Sequence, residues 1–294
     1  MEWKDRQGNH LSDGDEQGNV LRFFYETKFG GVLLRLLIRK PVSDFAGWFM
    51  QRRISTLWIK KFLKNSHINM EEYENRKFKS FNDFFTRRIR PECRPIDNEP
   101  THFISPCDCK LTVFPINEDS EFVIKGGRYT PEQLLRSKEL ARDYAGGQLL
   151  VFRLTVDDYH RYCYPDSGVK EENVHIQGVY YTVNPIAFKH YAVFKENTRE
   201  YTVLHSDHFD DLIMMEVGAT LVGRIANLHG AQRVSRGEEK GHFDFGGSTI
   251  VVFVKPGVLR VDEDIMRNNA EGCETVVKYG ERIGKKQDAH GERD

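Results

Sequence analysis

The amino-acid sequence predicts an α+β fold in which an N-terminal helical region precedes a β-rich region. Up to about residue 97, apolar residues recur at the spacing of helix faces. From residue 98 onward, short runs of β-branched and aromatic residues are separated by glycine and proline turns, which is typical of strands. The proline-containing segment 90–97 divides the two patterns. We therefore predict a helical region over residues 1–97 and a β-rich domain over residues 98–294.

The N-terminal region is predicted to begin loosely and then to form helices. Residues 1–20 are polar and are expected to lie loosely on the surface, and a helical pattern starts near Leu21. After Pro41, one amphipathic helix is predicted from the spacing of Met50, Ile54, Leu57, Trp58 and Phe62. Ser80 and Asp83 resemble a capping box that starts a further helix, and Pro91 marks its predicted end.

The distribution of charge is more informative than its total. The 294 residues include 43 basic and 44 acidic residues, and this balance does not indicate nucleic-acid binding. Between Arg35 and Lys64, however, eight basic residues accompany one acidic residue, with Trp48, Phe49 and Trp58 close by. This composition is typical of a helix in an anionic membrane interface, although a basic helix packed on its own domain has the same composition. No apolar run is long enough to span a membrane.

The cysteines indicate a reducing compartment and not a framework of disulfide bonds. Their number, five, is odd, and the N-terminus has no signal-peptide pattern, so we expect a reducing cytoplasm. Cys107 and Cys109 lack a second Cys or His pair at zinc-finger spacing. No metal site is therefore predicted.

The β-rich region alternates predicted strands with turns. The predicted strands are 103–116 around a turn at 105–109, 148–156, 174–181, 200–205, 212–217, 219–225 and 250–254. Thr130 is the predicted N-cap of a short helix. Residues 228–242 are expected to form a mobile loop. One or two strands are expected before Gly280, followed by a solvated tail over residues 281–294.

Three positions combine a reactive side chain with a rigid setting. Ser248 follows Gly247 and directly precedes a predicted strand, so its hydroxyl lies where a tight turn meets a buried strand. A serine there can attack the preceding carbonyl if a base stands beside it. His160 follows the strand 148–156, and Asp108 lies in the turn 105–109. Each feature alone is more typical of a structural residue, so only their combination indicates catalysis.

Taken in chain order, these segments resemble the phosphatidylserine decarboxylases from about Ala46 to Ile283. The segments that carry the resemblance are FNDFFTRRIRPECRPID (81–97), SPCD (105–108), KGGRYTPEQLL (125–135), DYHR (158–161), YTVN (181–184), VGATLVGRI (217–225), EEKGHFDFGGST (238–249) and KPG (255–257). DYHR together with a late GST motif is highly specific. The resemblance implies that residues 98–294 form the catalytic domain.

The resemblance further implies a chain that cuts itself between Gly247 and Ser248. A base takes the proton of Ser248, the serine oxygen attacks the Gly247 carbonyl, and elimination then converts Ser248 into a covalent pyruvoyl cofactor. This group is the electron sink for decarboxylation of phosphatidylserine to phosphatidylethanolamine and carbon dioxide. The two cleaved chains are expected to remain together as a heterodimer, and further association into a homo-oligomer is left open.

The resemblance assigns Asp108 and His160 to the proton relay of self-cleavage, in which the acid orients the imidazole. Many family members have a second histidine three residues after the first, and Cys163 stands there in this chain. We expect His160 to perform both proton transfers, with Cys163 lining the site, because histidine is the better base near neutral pH. The alternatives are Cys163 as a thiolate base, and His190 or another distant histidine as the base.

A diacyl phospholipid is reached at a bilayer surface, so the resemblance favours the membrane interpretation of the basic helix. We expect peripheral attachment to the cytoplasmic face of the cell membrane, with anionic lipid as the partner. Two other functions remain as alternatives. One is the same self-processing fold acting on another amino-acid-headed lipid or a soluble amino acid, and the other is a membrane-binding homologue that is not processed.

Overall fold

The computed structural model describes most of the chain. The described residues are 2–11, 27, 40–117, 122–124, 127–181, 193–218, 224–245 and 248–287. His190, Gly247 and most of the predicted strand 219–225 lie outside these ranges.

The helices in the described part are short. The α-helices are α1 (Lys40–Met50), α2 (Ile59–Lys64), α3 (Phe81–Phe85), α4 (Pro131–Leu135), α5 (Lys138–Arg142), α6 (Val193–Glu196) and α7 (Glu263–Ala270). The 3₁₀ helices are Arg53–Trp58, Met70–Glu72 and Pro91–Cys93. Two predicted caps are confirmed, since Ser80 Oγ accepts the Asp83 N–H at 3.1 Å and Thr130 Oγ1 accepts the Gln133 N–H at 3.2 Å. Among the helices described, none combines the length and the apolar character needed to cross a bilayer.

Strands contribute more residues than helices. They are β1 (Trp3–Lys4), β2 (His10–Leu11), β3 (His102–Ile104), β4 (Cys109–Pro115), β5 (Phe122–Ile124), β6 (Gly127–Tyr129), β7 (Gln148–Leu154), β8 (Arg161–Cys163), β9 (Gly168–Lys170), β10 (Val174–Ile176), β11 (Arg199–Ser206), β12 (Asp211–Val217), β13 (Ile225–Asn227), β14 (Gln232–Val234), β15 (Glu239–Phe243), β16 (Ser248–Val254), β17 (Leu259–Val261), β18 (Glu274–Val277) and β19 (Arg282–Lys286). The mixed α+β class is therefore confirmed.

One large sheet organises these strands. Within the described ranges it has eleven strands in the order β14-β9-β11-β12-β16-β7-β4-β18-β1-β2, with β10 beside β11. Smaller sheets are formed by β13-β15-β8, by β17-β19-β3 and by β5-β6. Strand β16 pairs antiparallel with β12 and β7, and all seven of its residues are buried. Its run of β-branched and aromatic residues suits a strand that is covered on both faces.

The extreme N-terminus differs from the prediction. Residues 2–11 form the hairpin β1–β2, and β1 adds to the central sheet by pairing in parallel with β18. Arg6 in the hairpin turn bonds Asp262 at 2.7 Å and Asp264 at 2.6 Å. The expectation that this segment lies loosely on the surface is therefore wrong for residues 2–11, because distant acidic residues and a free strand edge hold it. The division of the chain at residue 97 stays a prediction.

The single amphipathic helix predicted after Pro41 is divided in the structure. It consists of α1, the 3₁₀ helix Arg53–Trp58 and α2. The buried Ser55 hydroxyl explains the break, since it accepts the backbone N–H of Phe81 at 2.8 Å and bonds the Arg52 carbonyl at 2.6 Å. Met50 and Phe62 pack against the cluster around α3. The apolar residues of the predicted helix face thus divide between a buried side and an exposed side.

Two expectations for the C-terminal half are also wrong, and one helix there is unexpected. Residues 228–242 contain β14 and β15, which pair with β9 and β8, instead of forming a loop. Residues 282–286 form β19, where Ile283 is buried, instead of a solvated tail. Helix α7 was not predicted. Polar residues in these segments suggested solvent exposure, but several bond buried groups, as Lys240 does.

Candidate active site

Ser248 is the first residue of β16, and its side chain is fully buried. Backbone pairing with Leu154 of β7 positions it in the central sheet. Its hydroxyl has no hydrogen-bond partner among the described residues, and neither has the Thr249 hydroxyl. A buried polar group without a partner costs about 1–3 kcal/mol. The chain thus keeps an unfavourable hydroxyl at the residue expected to be the nucleophile.

His160 lies between β7 and β8 and is also fully buried. Its Nδ1 lies 2.9 Å from the Asp158 carbonyl oxygen, and because a carbonyl only accepts hydrogen bonds, Nδ1 carries the proton. Burial lowers the pKa of His160 to about 4, so the ring is neutral at pH 7. Nε2 has no partner within the described part of the chain. It is therefore a free acceptor, which is the form that a general base requires.

Aromatic residues connect His160 with the segment that precedes Ser248. The backbone N–H of Phe243, in the segment that leads to Ser248, donates to the His160 carbonyl at 3.0 Å. The Phe85 ring packs against the imidazole, with centroids 4.0 Å apart, and against the ring of Phe245 at 5.1 Å. Helix α3 therefore contacts both His160 and Phe245, which precedes Ser248 by three residues.

A buried ion pair holds the turn that precedes His160. Lys110 Nζ bonds the two Asp158 carboxylate oxygens at 2.9 and 2.7 Å and Thr155 Oγ1 at 2.8 Å. The Thr155 backbone N–H and hydroxyl also donate to Asp158, at 2.6 and 2.8 Å. Burial acts to raise the pKa of Asp158, but Lys110 and Thr155 outweigh it and hold that pKa below its usual value. Asp158 is therefore ionised at neutral pH.

Asp108 lies in the predicted turn, but its bonds go elsewhere. Its carboxylate accepts three hydrogen bonds from the Arg94 guanidinium, at 2.7 to 3.1 Å, and one from the Tyr279 backbone N–H at 2.8 Å. The group on His160 Nδ1 is instead the Asp158 carbonyl. No hydrogen bond of Asp108 in the described part of the chain reaches His160. The role of Asp108 in orienting the imidazole therefore stays a prediction.

Cys163 on β8 is fully buried beside the SPCD turn. Its backbone N–H donates to the Pro106 carbonyl at 2.9 Å, and its sulfur lies 4.0 Å from the Ser105 carbonyl oxygen. Burial raises the pKa of the thiol to about 12, so almost no thiolate exists at neutral pH. This disfavours Cys163 as the base, and the lining role expected for it stays a prediction. His190, the other alternative, lies outside the described residues.

A second buried ion pair lies beside β16. Lys240 of β15 bonds Glu216 of β12 at 2.8 Å, and both side chains are fully buried. Asn227 bonds both members, at 2.8 Å to Lys240 and 3.0 Å to Glu216. Glu216 pairs with Ile250, which lies on the same face of β16 as Ser248. The ion pair thus joins the small sheet β13-β15-β8 to the central sheet next to the candidate site.

One group of side chains in the described ranges has donor atoms close enough for a metal. The ligand atoms of Glu2, His10 and Cys273 lie within 4.8 Å of one another at the β1–β2 edge of the sheet. Glu2 and His10 are exposed and form an ion pair at 3.4 Å. That pair explains their proximity without a metal.

Sequence reasoning missed three residues that shape the site: Phe85, Lys110 and Asp158. Phe85 and Asp158 lie inside the motifs FNDFF and DYHR, but motif membership does not say what a side chain contacts. A usable signal existed for Lys110, because a lysine inside an apolar strand such as Cys109–Pro115 requires an acidic partner. The identity of that partner depends on the fold.

Comparisons with known proteins agree with one another. The family model of phosphatidylserine decarboxylase matches residues 81–285. The chain is 44% identical to phosphatidylserine decarboxylase proenzyme 2 of Clostridium acetobutylicum, over 91% of this chain and 92% of that relative. It is 41% identical to a phosphatidylserine decarboxylase proenzyme of Clostridium botulinum, over 91% of this chain and 92% of the relative. The proenzyme of Desulfitobacterium hafniense is 40% identical, over 90% of this chain and 91% of its own length.

Proposed function

Because the chain belongs to the phosphatidylserine decarboxylase family, we propose that it is a self-processing enzyme that converts phosphatidylserine to phosphatidylethanolamine and carbon dioxide. One observation carries the assignment of the site. A buried serine hydroxyl and a buried neutral imidazole both lack partners among the described residues. Ser248 pairs with Leu154, the last residue of β7, and His160 lies in the connection that follows β7. Groups of this kind are costly to bury and are the residue types that acyl transfer uses.

Self-cleavage at Gly247–Ser248 uses these two side chains. The proton of Ser248 Oγ moves to His160 Nε2, and Oγ forms a bond to the Gly247 carbonyl carbon. The peptide C–N bond then breaks, and the released nitrogen takes the proton from Nε2. A base then removes the Ser248 Cα proton, the Cα–Cβ double bond forms, and the Cβ–Oγ bond breaks to release the Gly247 carboxylate. Water adds to the resulting enamine, ammonia leaves, and a pyruvoyl group remains at the new N-terminus.

The pyruvoyl group, once formed, supplies an electron sink for the electron pair that remains when the substrate carboxylate leaves as carbon dioxide. The residues around Ser248 fit its formation. Backbone pairing of Ser248 with Leu154 anchors the future N-terminus in the sheet, and the orphaned hydroxyl makes no bond that has to be broken. Cleavage on the N-terminal side of Ser248 therefore leaves the group at the start of a buried strand.

His160 and its apolar cover serve the decarboxylation as well. The Phe85 and Phe245 rings exclude water from the imidazole and lower the local dielectric, which favours loss of the charged carboxylate. His160 Nε2 takes the proton that the substrate ammonium group loses as its nitrogen condenses, and it then delivers this proton to the carbon that carbon dioxide has left. Cys163, protonated and buried, lines the site without exchanging a proton.

The test is to express the full chain and a Ser248→Ala variant, and to measure intact masses and carbon dioxide release. We expect the unchanged chain to give a fragment that starts at residue 248 and has a blocked N-terminus that hydroxylamine modifies. The Ser248→Ala variant should remain one chain and release no carbon dioxide. Phosphatidylserine should be a substrate and free serine should not. A stable, uncut chain that still decarboxylates phosphatidylserine contradicts the proposal.

For the membrane, we propose peripheral attachment to the cytoplasmic leaflet through the segment 40–64. Its exposed large apolar side chains include Phe45, Trp48 and Leu57, which are 66%, 51% and 74% exposed. Exposed basic side chains, among them Arg52 and Lys60, accompany them. An apolar surface with basic neighbours matches an anionic bilayer interface.

The opposite side of this segment supports the same proposal. Phe62 of α2 packs against Phe81 and Phe84 of α3, with ring centroids 5.4 and 5.9 Å apart. Helix α3 also carries Phe85, which contacts His160. A bilayer bound on the exposed side would therefore hold a phospholipid headgroup near the cover of the site.

Vesicle co-sedimentation tests the attachment. Reversing four charges, with Arg52→Glu, Arg53→Glu, Lys60→Glu and Lys61→Glu, should weaken binding to phosphatidylserine-containing vesicles by at least ~100-fold, since each basic residue contributes about 1 kcal/mol. Self-cleavage should continue. Arg233→Glu with Arg260→Glu, which changes exposed arginines elsewhere, is the matched control. Unchanged binding of the fourfold variant contradicts the proposal.

A further inference from the structure

We propose that Lys110 and Asp158 are positioning residues for His160, an inference that rests on the proposed function. Their ion pair fixes the turn between β7 and His160, so that the Asp158 carbonyl holds the Nδ1–H and leaves the Nε2 lone pair free to accept a proton. Neither side chain touches the reacting atoms. Both act through the imidazole.

The first support is the saturation of the Asp158 carboxylate. It accepts two hydrogen bonds from Lys110 and two from Thr155, between 2.6 and 2.9 Å. The side chains of Lys110 and Asp158 are only 10% and 11% exposed. A pair this buried has a desolvation cost that a surface pair avoids, and its removal would leave an unpaired buried charge. This costly ion pair holds the turn that directly precedes His160, whose Nε2 is the free acceptor.

The second support is the place of this turn in the sheet. It starts directly after Leu154, and Leu154 pairs with Ser248. Lys110 itself pairs with Arg153 in the register of β4 and β7. The turn that carries His160 follows β7, Lys110 lies on β4, and Ser248 lies on β16. These three strands are adjacent in the central sheet, so their hydrogen-bonded ladder fixes the distances between them.

The third support is that Lys110 is held in turn by the N-terminal hairpin. The Trp3 ring of β1 lies 5.7 Å from Lys110 Nζ and 5.8 Å from the Arg153 guanidinium carbon. Arg153 also bonds Glu274 at the start of β18. Cations beside an indole face are attracted to it. The hairpin of residues 2–11 thus supports the positioning pair from the far side.

The two charges act on His160 in opposite directions, which makes the proposal testable. Burial is the largest influence on the pKa of His160 and lowers it. Asp158 raises this pKa, whereas Arg87 and Lys110 lower it. Phe85 presents an apolar ring to the imidazole. Loss of Lys110 should therefore raise the pKa of His160, and loss of the Asp158 charge should lower it.

The experiment measures the rate of self-cleavage of the full chain against pH. Lys110→Met and Asp158→Asn should each slow cleavage at pH 7 by ~10-fold or more, because small misplacements of a catalytic group are costly. The midpoint of the pH profile should move up in Lys110→Met and down in Asp158→Asn. Lys110→Arg, which retains a cationic donor, should recover part of the rate.

The matched control is Lys255→Met. Lys255 also pairs with a carboxylate, Asp211 at 2.8 Å, but it follows the other end of β16. Its loss should alter neither the rate nor the midpoint. Wild-type rates and midpoints in both test variants would overturn the proposal, and so would slower cleavage with unmoved midpoints, since that pattern reflects a structural defect only.

A second measurement does not depend on cleavage. In the Ser248→Ala chain, nitrogen-15 NMR of the His160 side chain at pH 7 should report a proton on Nδ1. Adding Lys110→Met should give a mixture of the two tautomers. An Nε2-protonated ring in Ser248→Ala, or an unchanged tautomer after Lys110→Met, would overturn the positioning role. If the wild-type chain does not cut itself, the proposed function fails, while this spectrum still tests the positioning.

Discussion

Polar groups at the two ends of strand β16 differ in whether they have hydrogen-bond partners. At its start, the hydroxyls of Ser248 and Thr249 are buried without partners among the described residues, as is Nε2 of the neighbouring His160. Just beyond its other end, Lys255 donates to Asp210 at 3.0 Å and to Asp211 at 2.8 Å. Both ends belong to one buried strand, so strand burial alone does not explain the difference.

Within this one strand, the paired polar groups contribute to stability, whereas the unpaired ones indicate a functional site. Buried polar groups are paired in most of a folded protein, and a cluster of exceptions marks a place where another requirement prevails. At the Ser248 end, that requirement is a hydroxyl and an imidazole free to exchange a proton. At the Lys255 end, the charges neutralise one another, and the buried atom there without a partner among the described residues is an amide oxygen, Gln148 Oε1, which is not a nucleophile.

The largest expected effect is the loss of self-cleavage when the imidazole of His160 is removed. His160→Ala should slow self-cleavage by at least ~100-fold, because general base catalysis contributes about 10²–10⁴-fold. His205→Ala, which removes the histidine that bonds Asp211 at the other end, should cleave normally. Time courses of chain cleavage on denaturing gels provide the measurement.

The Cys163→Ala variant tests whether the thiol, rather than His160, is the base. Since burial raises the pKa of this thiol to about 12, its removal should leave cleavage within a few-fold of the unchanged chain. Complete maturation of His160→Ala together with a block in Cys163→Ala would assign the base to the thiol and contradict our assignment.

The next effect is the pH dependence of cleavage. The base has to be unprotonated, and burial lowers the pKa of His160 to about 4. The rate should therefore be constant near neutral pH and fall as the pH decreases through about 4. The rate can be followed by mass spectrometry while circular dichroism verifies that the chain is folded. A midpoint near the usual histidine value of about 6.5 would contradict a base that is buried as His160 is.

Stability should respond to pH with opposite sign at the two ends. The pKa of His160 is lower in the folded chain than in the unfolded chain, so its stabilising effect is complete above about 6.5 and is lost as the pH falls toward 4. From pH 7 to pH 5 the loss should be about 2 kcal/mol. Hydrogen bonding to Asp211 raises the pKa of His205, so its contribution is present at low pH and is lost as the pH rises.

Urea unfolding of Ser248→Ala chains measures this difference. Adding His160→Phe should reduce the loss of stability between pH 7 and pH 5. Adding His205→Phe should increase that loss, because it removes a group that stabilises the acidic condition. The same trend in both variants would contradict the assigned signs.

The smallest expected effect concerns one hydroxyl. Thr249→Val removes a buried hydroxyl without a partner and should raise the free energy of unfolding by about 1 kcal/mol. Thr202→Val in β11 removes a buried hydroxyl that bonds the Glu171 carbonyl at 2.8 Å, and it should lower that free energy by about 1 kcal/mol. Both can be measured by urea unfolding in the Ser248→Ala background. Destabilisation by both variants would indicate that Thr249 has a partner after all.

Local patterns predicted much of the fold and the reactive pair. The central strands β7, β12 and β16 were visible as apolar runs, and the N-caps Ser80 and Thr130 were visible because a cap involves residues three positions apart. The motifs led to Ser248 and His160 for the same reason. Each is specified by its own neighbours in the chain.

The remaining features depend on contacts between distant residues. Ser55 divides the predicted helix by bonding Phe81, residues 2–11 join the sheet through β18, and Asp158 meets Lys110 from another strand. No local period encodes these partners, because the register of the central sheet selects them. The sequence by itself indicated Ser248 and His160 as the candidate residues for self-cleavage. Only the tertiary structure decided that Ser248 Oγ and His160 Nε2 lack partners among the described residues and that the Asp158 backbone carbonyl holds the imidazole, since burial and hydrogen bonding are properties of the assembled sheet.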